Sequence, residues 1–159
     1  MKKDNINVVG WREWTGLPDL GLPAIKAKVD TGAKTSALHA FKVEESCVNG
    51  SQYVNFHIHP KQKNTDIVII CEAKVFDKRN VRDSGGHEEE RYVIKTTLEI
   101  GNMKWPIELT LTSRDDMMFR MLLGRNALID GGFSVDPASS YLASKRPVNQ
   151  ASLYSGDTK

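Results

Sequence analysis

Alternation of apolar and polar positions organises the first part of the chain. Between Ala24 and Val29, Ile25, Ala27 and Val29 fall on one face and Lys26 and Lys28 on the other, the period of two expected of a half-buried strand. That strand delivers Asp30 at its end. Phe41–Val48 and Gln52–His59 flank Asn49-Gly50, the pair best suited to the positive φ angles of a type I′ turn, and so predict a hairpin. In its second arm Val54, Phe56 and Ile58 point inward, and Tyr53, Asn55, His57 and His59 form the polar face.

Further along, the apolar run Ile67–Ile70 within Asp66–Phe76 predicts one buried strand. Tyr92–Ile100 and Lys104–Thr112 enclose Gly101-Asn102 and predict a second hairpin. The opening stretch, Ile6–Trp14, is apolar and aromatic. Trp11 and Trp14 are three apart, which puts them on opposite faces of a strand, with at least one in the core. Phe119–Leu123 is apolar, Gly124–Ile129 predicts a short helix stopped by Gly131-Gly132, and Phe133–Val135 predicts a last strand. Met117, Met118 and Met121 read as packing residues.

Turn-rich or polar segments separate these elements: Gly16–Pro23, Pro60–Thr65, and Asp77–Arg91 with Gly85-Gly86 near its middle. Short strands punctuated in this way imply an all-β barrel or sandwich with one short helix near the C-terminus. No internal repeat is visible. The expected organisation is one domain over residues 1–142 and a polar, frayed tail over 143–159.

Composition narrows the function classes. The chain has 159 residues, enough for a single core. With 22 basic and 20 acidic residues its net charge is +2, too balanced to suggest a nucleic-acid or membrane surface. No apolar run approaches the ~20 residues that span a bilayer, and Met1–Asn5 lacks the apolar stretch of a signal peptide. A cytoplasmic location is expected. The two cysteines, Cys47 and Cys71, then read as reduced thiols.

Candidate chemistry begins at Asp30-Thr31-Gly32. A carboxylate at the end of an apolar strand, followed by Thr-Gly, suits a tight loop that exposes the acid. Gly32 lets the backbone approach closely or take unusual dihedrals, and the Thr31 hydroxyl can brace the loop. Other readings are weaker. Thr35, Ser36 and His39 invite a Ser-His nucleophile, but no oxyanion loop or third partner is evident, and a helix start or loop hydrogen bonds explain them better. His57 and His59, two apart on a strand, face one side and could share a metal, with a third ligand drawn from Cys47, Cys71, His39 or His87. No Gly-x-x-x-x-Gly-Lys-Ser/Thr phosphate loop and no His-Glu-x-x-His helix is present. Neither a metal nor another cofactor is expected.

The order of motifs resembles the retropepsin family of aspartic proteases. Val29-Asp30-Thr31-Gly32-Ala33 is similar to its active-site strand and loop. Leu122-Leu123-Gly124-Arg125-Asn126-Ala127-Leu128 is similar to its C-terminal strand, Gly-Arg-Asn turn and helix. Asp83-Ser84-Gly85-Gly86-His87 falls where its glycine-rich flap tip would be. A closer resemblance joins Gly10–Trp14, Lys26–Ala40 and Val135-Asp136-Pro137 to a bacterial family named for an ATP-dependent zinc protease and associated with ATP-grasp ligases that add glutamate to proteins.

The resemblance implies a closed acid-protease barrel with Asp30, Thr31 and Gly32 as the catalytic loop. Ala33, Lys34, Ser84, Gly85 and Gly86 would then contact a peptide substrate. Such chemistry needs two carboxylates sharing a proton. Asp83-Ser84-Gly85 does not follow an apolar strand, so the second carboxylate is expected from Asp30 of another copy across a two-fold axis. One departure stands out: where retroviral enzymes carry an acid that pairs with the Arg of Gly-Arg-Asn, this chain has Lys34. Arg125 is left without that partner and its role is open, the plain alternative being a surface or helix-start arginine that bonds a carboxylate elsewhere. A basic group at Lys34 would also attract acidic side chains, which together with the ligase association points to acidic or poly-glutamate peptides. The rival readings are a catalytically silent peptide-binding dimer and a zinc-dependent peptidase.

Overall fold

The computed structural model describes residues 7–61, 65, 67–82, 85–113 and 118–145. The elements are β1 (Asn7–Val9), β2 (Arg12–Leu17), a 3-10 turn (Pro18–Leu20), β3 (Leu22–Asp30), β4 (Ser36–His39), β5 (Lys42–Val48), β6 (Ser51–Ile58), β7 (Ile69–Lys74), β8 (Asp77–Arg82), β9 (Glu88–Ile100), β10 (Met103–Thr112), β11 (Met121–Gly124), α1 (Arg125–Gly131) and β12 (Phe133–Val135). The fold is all-β with one short helix.

Strands β10, β4, β11, β3, β2 and β9 adjoin in that order, and β9 returns to pair with β10, so the sheet bends into a ring with β8 outside it. The seam is uneven. β9 and β10 share eight registered pairs, whereas β2 meets β9 only at Gly16↔Glu99. The expected closed barrel is therefore a ring with one thinly hydrogen-bonded side. β5, β6 and β7 form a second sheet, and β1 pairs in parallel with β12.

Inward positions of both sheets make one core. Leu17, Leu22, Ile25, Leu38, Phe56, Ile58, Ile94, Leu98, Leu109, Met121 and Leu123 are fully buried, each such side chain stabilising by roughly 1.5–3 kcal/mol. The Asn49-Gly50 turn has the expected positive φ angles, 52° and 82°, and Val54, Phe56 and Ile58 do point inward. α1 ends at Gly132, whose φ of 75° and N–H bonds to the Ile129 and Leu128 carbonyls form a left-handed cap.

Several expectations are corrected. The run at Ile67–Ile70 is not a buried strand: pairing begins only at Ile69, and Val68 and Ile70 are 45% and 66% exposed, because β7 is an edge strand with one face to solvent. Met121 is core but Met118 is exposed, and Met117 lies outside the described residues. Trp14 is buried and Trp11 half-buried, the latter packed edge-on against Phe119. Ser36–His39 is a strand and not a helix start.

The chain beyond Leu142 is also docked further than its polar composition suggests. Glu13, wholly buried, accepts the N–H groups of Gly10 at 2.7 Å, Leu142 at 2.8 Å and Ala143 at 3.2 Å, and the Ser144 hydroxyl. Ser144 Oγ in turn accepts the Trp14 N–H at 2.8 Å. The expected boundary at residue 142 thus falls inside an anchor, and residues 146–159 lie outside the described ones. Among the described residues no helix is long and apolar enough to cross a membrane.

Candidate active site

Strand pairing sets Asp30. β11 lies between β3, which it pairs in parallel, and β4, which it pairs antiparallel, with Gly124 opposite Asp30. The segment from Thr31 to Thr35 therefore loops across the end of β11. Its backbone is fixed at several points. Ala33 N–H donates to the Asp30 carbonyl at 3.1 Å, and the Arg125 and Asn126 N–H groups donate to the carbonyls of Ala33 and Lys34 at 2.8 and 3.1 Å. Ser36 Oγ accepts the Gly124 N–H at 2.9 Å, and Thr110 Oγ1 donates to the Ser36 carbonyl at 3.1 Å. The Ser36 hydroxyl is thus a buried brace, which disposes of the Ser-His reading.

Two glycines act through space. A Cβ at Gly124 would stand 2.7 Å from the Thr35 carbonyl carbon, so only glycine lets β11 pass this close to the loop. Gly32 donates its N–H to Asp30 Oδ1 at 3.0 Å, and a Cβ there would lie 3.2 Å from the same oxygen. Its dihedral is not left-handed, so Gly32 serves close approach and not unusual φ. The Asp30 carboxylate is held by a backbone donor and is half-buried.

Arg125 does not bond a carboxylate. Its Nη1 donates to the carbonyls of Thr31 at 3.2 Å and Gly32 at 3.3 Å. The arginine of Gly-Arg-Asn thereby clamps the Asp-Thr-Gly loop directly, and the acid missing at Lys34 is not required for that contact.

Asp30 opens onto a cleft of about 1010 Å³ whose walls include Gly32, Ala33, Lys34, Arg79, Arg82, Arg91, Glu108 and Arg125. β8 and β9 pair antiparallel from Asp77↔Val93 out to Arg82↔Glu88, and their residues form one wall of it. This hairpin is where the flap was expected. Gly85 and Gly86 stand between its strands, with Gly86 at φ 86°, while Asp83 and Ser84 lie outside the described residues. A smaller chamber of about 280 Å³ adjoins the cleft, sharing Thr35, Glu108 and Asn126 with it.

Sequence reasoning missed Arg79, Glu108 and Thr110, whose roles follow from cross-strand register, which alternation does not encode. For Ser36 the loop hydrogen bonds that it anticipated are the ones present.

Among the described residues His57 and His59 gather no third metal-ligating side chain. The Phe41 ring packs 5.6 Å from one imidazole and 4.0 Å from the other. Burial and then the Arg120 charge hold His59 below its usual pKa. Cys47, five residues along β5 from the partner of His57, is about 17 Å away along the strand. Cys71 faces the core and bonds the Leu20 carbonyl. Among the described residues no three His, Cys, Asp or Glu side chains group to hold a metal ion. The zinc of the resembled family name thus has no fitting donor set at this place.

Comparison with known proteins agrees with the loop geometry. The model of the RimB-like family, described as "Retropepsin-like aspartic endopeptidase RimB", matches residues 8–146. The chain belongs to that family. RimB-like sequence also occurs within longer proteins. A "Probable alpha-L-glutamate ligase" of Shewanella pealeana is 44% identical over 152 residues, covering 95% of this chain and 33% of that protein. One of the same name from Parasynechococcus marenigrum is 49% identical over 134 residues, covering 84% and 28%. The chain spans about a third of the length of the curated relatives it matches. A crystal structure of a Legionella pneumophila protein of unknown function superposes with a TM-score of 0.72 at 28% identity, covering 87% of this chain and 98% of that one.

Proposed function

We propose that this RimB-like chain is one half of an aspartic peptidase, completed by Asp30 of a second copy, and that it cleaves acidic or glutamate-rich peptides. The observation that carries the reading is the clamped loop: Asp30 is presented at a strand end, oriented by the Gly32 N–H and open to a peptide-sized cleft. Among the described cleft residues the only other carboxylate is Glu108, which is bonded to Arg79. In this reading the second carboxylate comes from another copy, since a two-fold axis places an identical Asp30 opposite the first.

In this scheme the two carboxylates share one proton. The ionised member takes a proton from a water whose oxygen attacks the peptide carbonyl carbon. The protonated member donates to the carbonyl oxygen. Collapse of the tetrahedral species breaks the C–N bond as the leaving nitrogen takes a proton from the dyad, so no metal or other cofactor enters. The substrate class rests on Lys34 in the loop and on relatives, named as probable alpha-L-glutamate ligases, that carry similar sequence.

The test compares wild type and Asp30→Asn on Glu-rich and neutral peptides, with and without chelator, alongside sedimentation. Cleavage that is lost in Asp30→Asn, indifferent to chelator and confined to a dimer is expected. A cleaving monomer overturns the shared dyad. Binding without cleavage in wild type supports the silent peptide-binding dimer instead.

A further inference from the structure

Most of the positive charge around the cleft is already engaged. Arg82 pairs with Glu88 at 2.8 Å and Arg91 with Glu89 at 2.8 Å, each within the β8–β9 hairpin. Arg125 keeps its charge but is turned toward the loop, where it donates to the Thr31 and Gly32 carbonyls. Arg79 differs, because it is shared. Its Nε donates to Asp77 Oδ2 at 2.8 Å and its Nη1 to Glu108 Oε1 at 2.6 Å. Asp77 is a neighbour on β8, but Glu108 lies on β10. Arg79 is opposite Arg91, and Glu108 is opposite Lys95, on the intervening β9. The contact therefore crosses that strand. The hydrogen bonds that Arg79 donates to Glu108 and then to Asp77 raise its pKa above the ordinary arginine value.

One cation between two carboxylates leaves the group with a net charge of −1. Glu108 lines the cleft and the side chamber alike, whereas Asp77 lines neither. We propose that Glu108 is a specificity-setting residue: it cancels Arg79 where the two face the cleft, so that this end offers an acidic substrate residue no net cation and such residues are drawn to the Lys34 end instead. The inference rests on the acidic-peptide reading and assigns the direction in which such a peptide is read. It acts through Arg79, without contact to the reacting atoms. Both side chains are about one-third exposed, so the pair adds little to stability and its removal leaves the fold in place.

Charge counting gives a signed test. The group carries −1 in the wild type, 0 in Glu108→Gln, −2 in Arg79→Gln, and −1 again in the double variant. Binding of a labelled oligoglutamate and of a neutral peptide is measured on the Asp30→Asn background at low and high salt, and KM and kcat on the active chain. Glu108→Gln is expected to tighten oligoglutamate binding about threefold, the effect of one charge at roughly 7 Å in water. Arg79→Gln weakens it, the double variant returns toward wild type, the differences shrink with salt, and the neutral peptide responds much less than oligoglutamate. Equal losses for both peptides in both single variants, or no change in Glu108→Gln, overturn the proposal. Absence of oligoglutamate binding in every variant overturns the acidic-peptide reading itself.

Discussion

Arg125 and Gly32 are separated by ninety-two intervening positions and meet where the guanidinium Nη1 donates to the glycine carbonyl at 3.3 Å. The same nitrogen reaches the Thr31 carbonyl, while the Arg125 backbone N–H holds the Ala33 carbonyl at 2.8 Å. One residue of α1 thus fixes three consecutive carbonyls of the loop that carries Asp30. A lysine ammonium cannot reproduce a planar guanidinium's geometry.

Arg125→Lys is therefore expected to fold normally but to hold Asp30 loosely. Misplacement of a catalytic carboxylate by a fraction of an ångström costs about tenfold to a hundredfold in rate. Hydrolysis of a Glu-rich peptide checks this, with unchanged circular dichroism as the control. Wild-type kcat/KM in Arg125→Lys would remove the clamp from the mechanism.

Gly124→Ala tests the close approach of β11 to the loop. The new Cβ would press on the Thr35 carbonyl carbon at 2.7 Å, and overpacking of this kind costs about 1–3 kcal/mol. A lowered thermal midpoint and lost activity are expected together, since the same contact shapes the core and the site.

Glu13→Gln tests the anchor at the other end of β2. A carboxylate that accepts from three backbone N–H groups and a hydroxyl is replaced by an amide whose NH₂ cannot accept. Leaving buried donors unmatched costs about 2–4 kcal/mol. Denaturant titration is expected to show that loss, and limited proteolysis is expected to cut first near Leu142–Ser144.

The two thiols are expected to differ sharply. Burial pushes the Cys71 thiol up to about 12 from 9.0, while Cys47 is exposed. Iodoacetamide at mildly alkaline pH should label Cys47 in the folded chain and Cys71 only after unfolding. Because the folded pKa is the higher one, the unfolded chain releases this proton first. The associated stability is complete below about pH 9 and is lost as pH rises toward 12. Cys71→Ala should lower overall stability and flatten that alkaline decline.

Local pattern was legible where one face of a strand is buried and a turn has strict dihedral demands. Ala24–Asp30 and the Asn49-Gly50 hairpin show this, since alternation and positive φ are properties of neighbouring residues. It was not legible at Ile67–Ile70, where an edge position leaves apolar residues in solvent. Nor did it reveal Asp77–Arg91 as paired strands, because cross-strand ion pairs such as Arg82–Glu88 take the place of an apolar face.

By itself the sequence determined the catalytic candidate, the strand that presents it and the all-β class. Only the tertiary structure decided what Lys34 leaves Arg125 to do, which carboxylates cancel Arg79, and that His57 and His59 share the Phe41 ring. The physical reason is range. Strand periodicity and turn chemistry act over a few residues, whereas each of these contacts depends on the register of strands far apart in the chain.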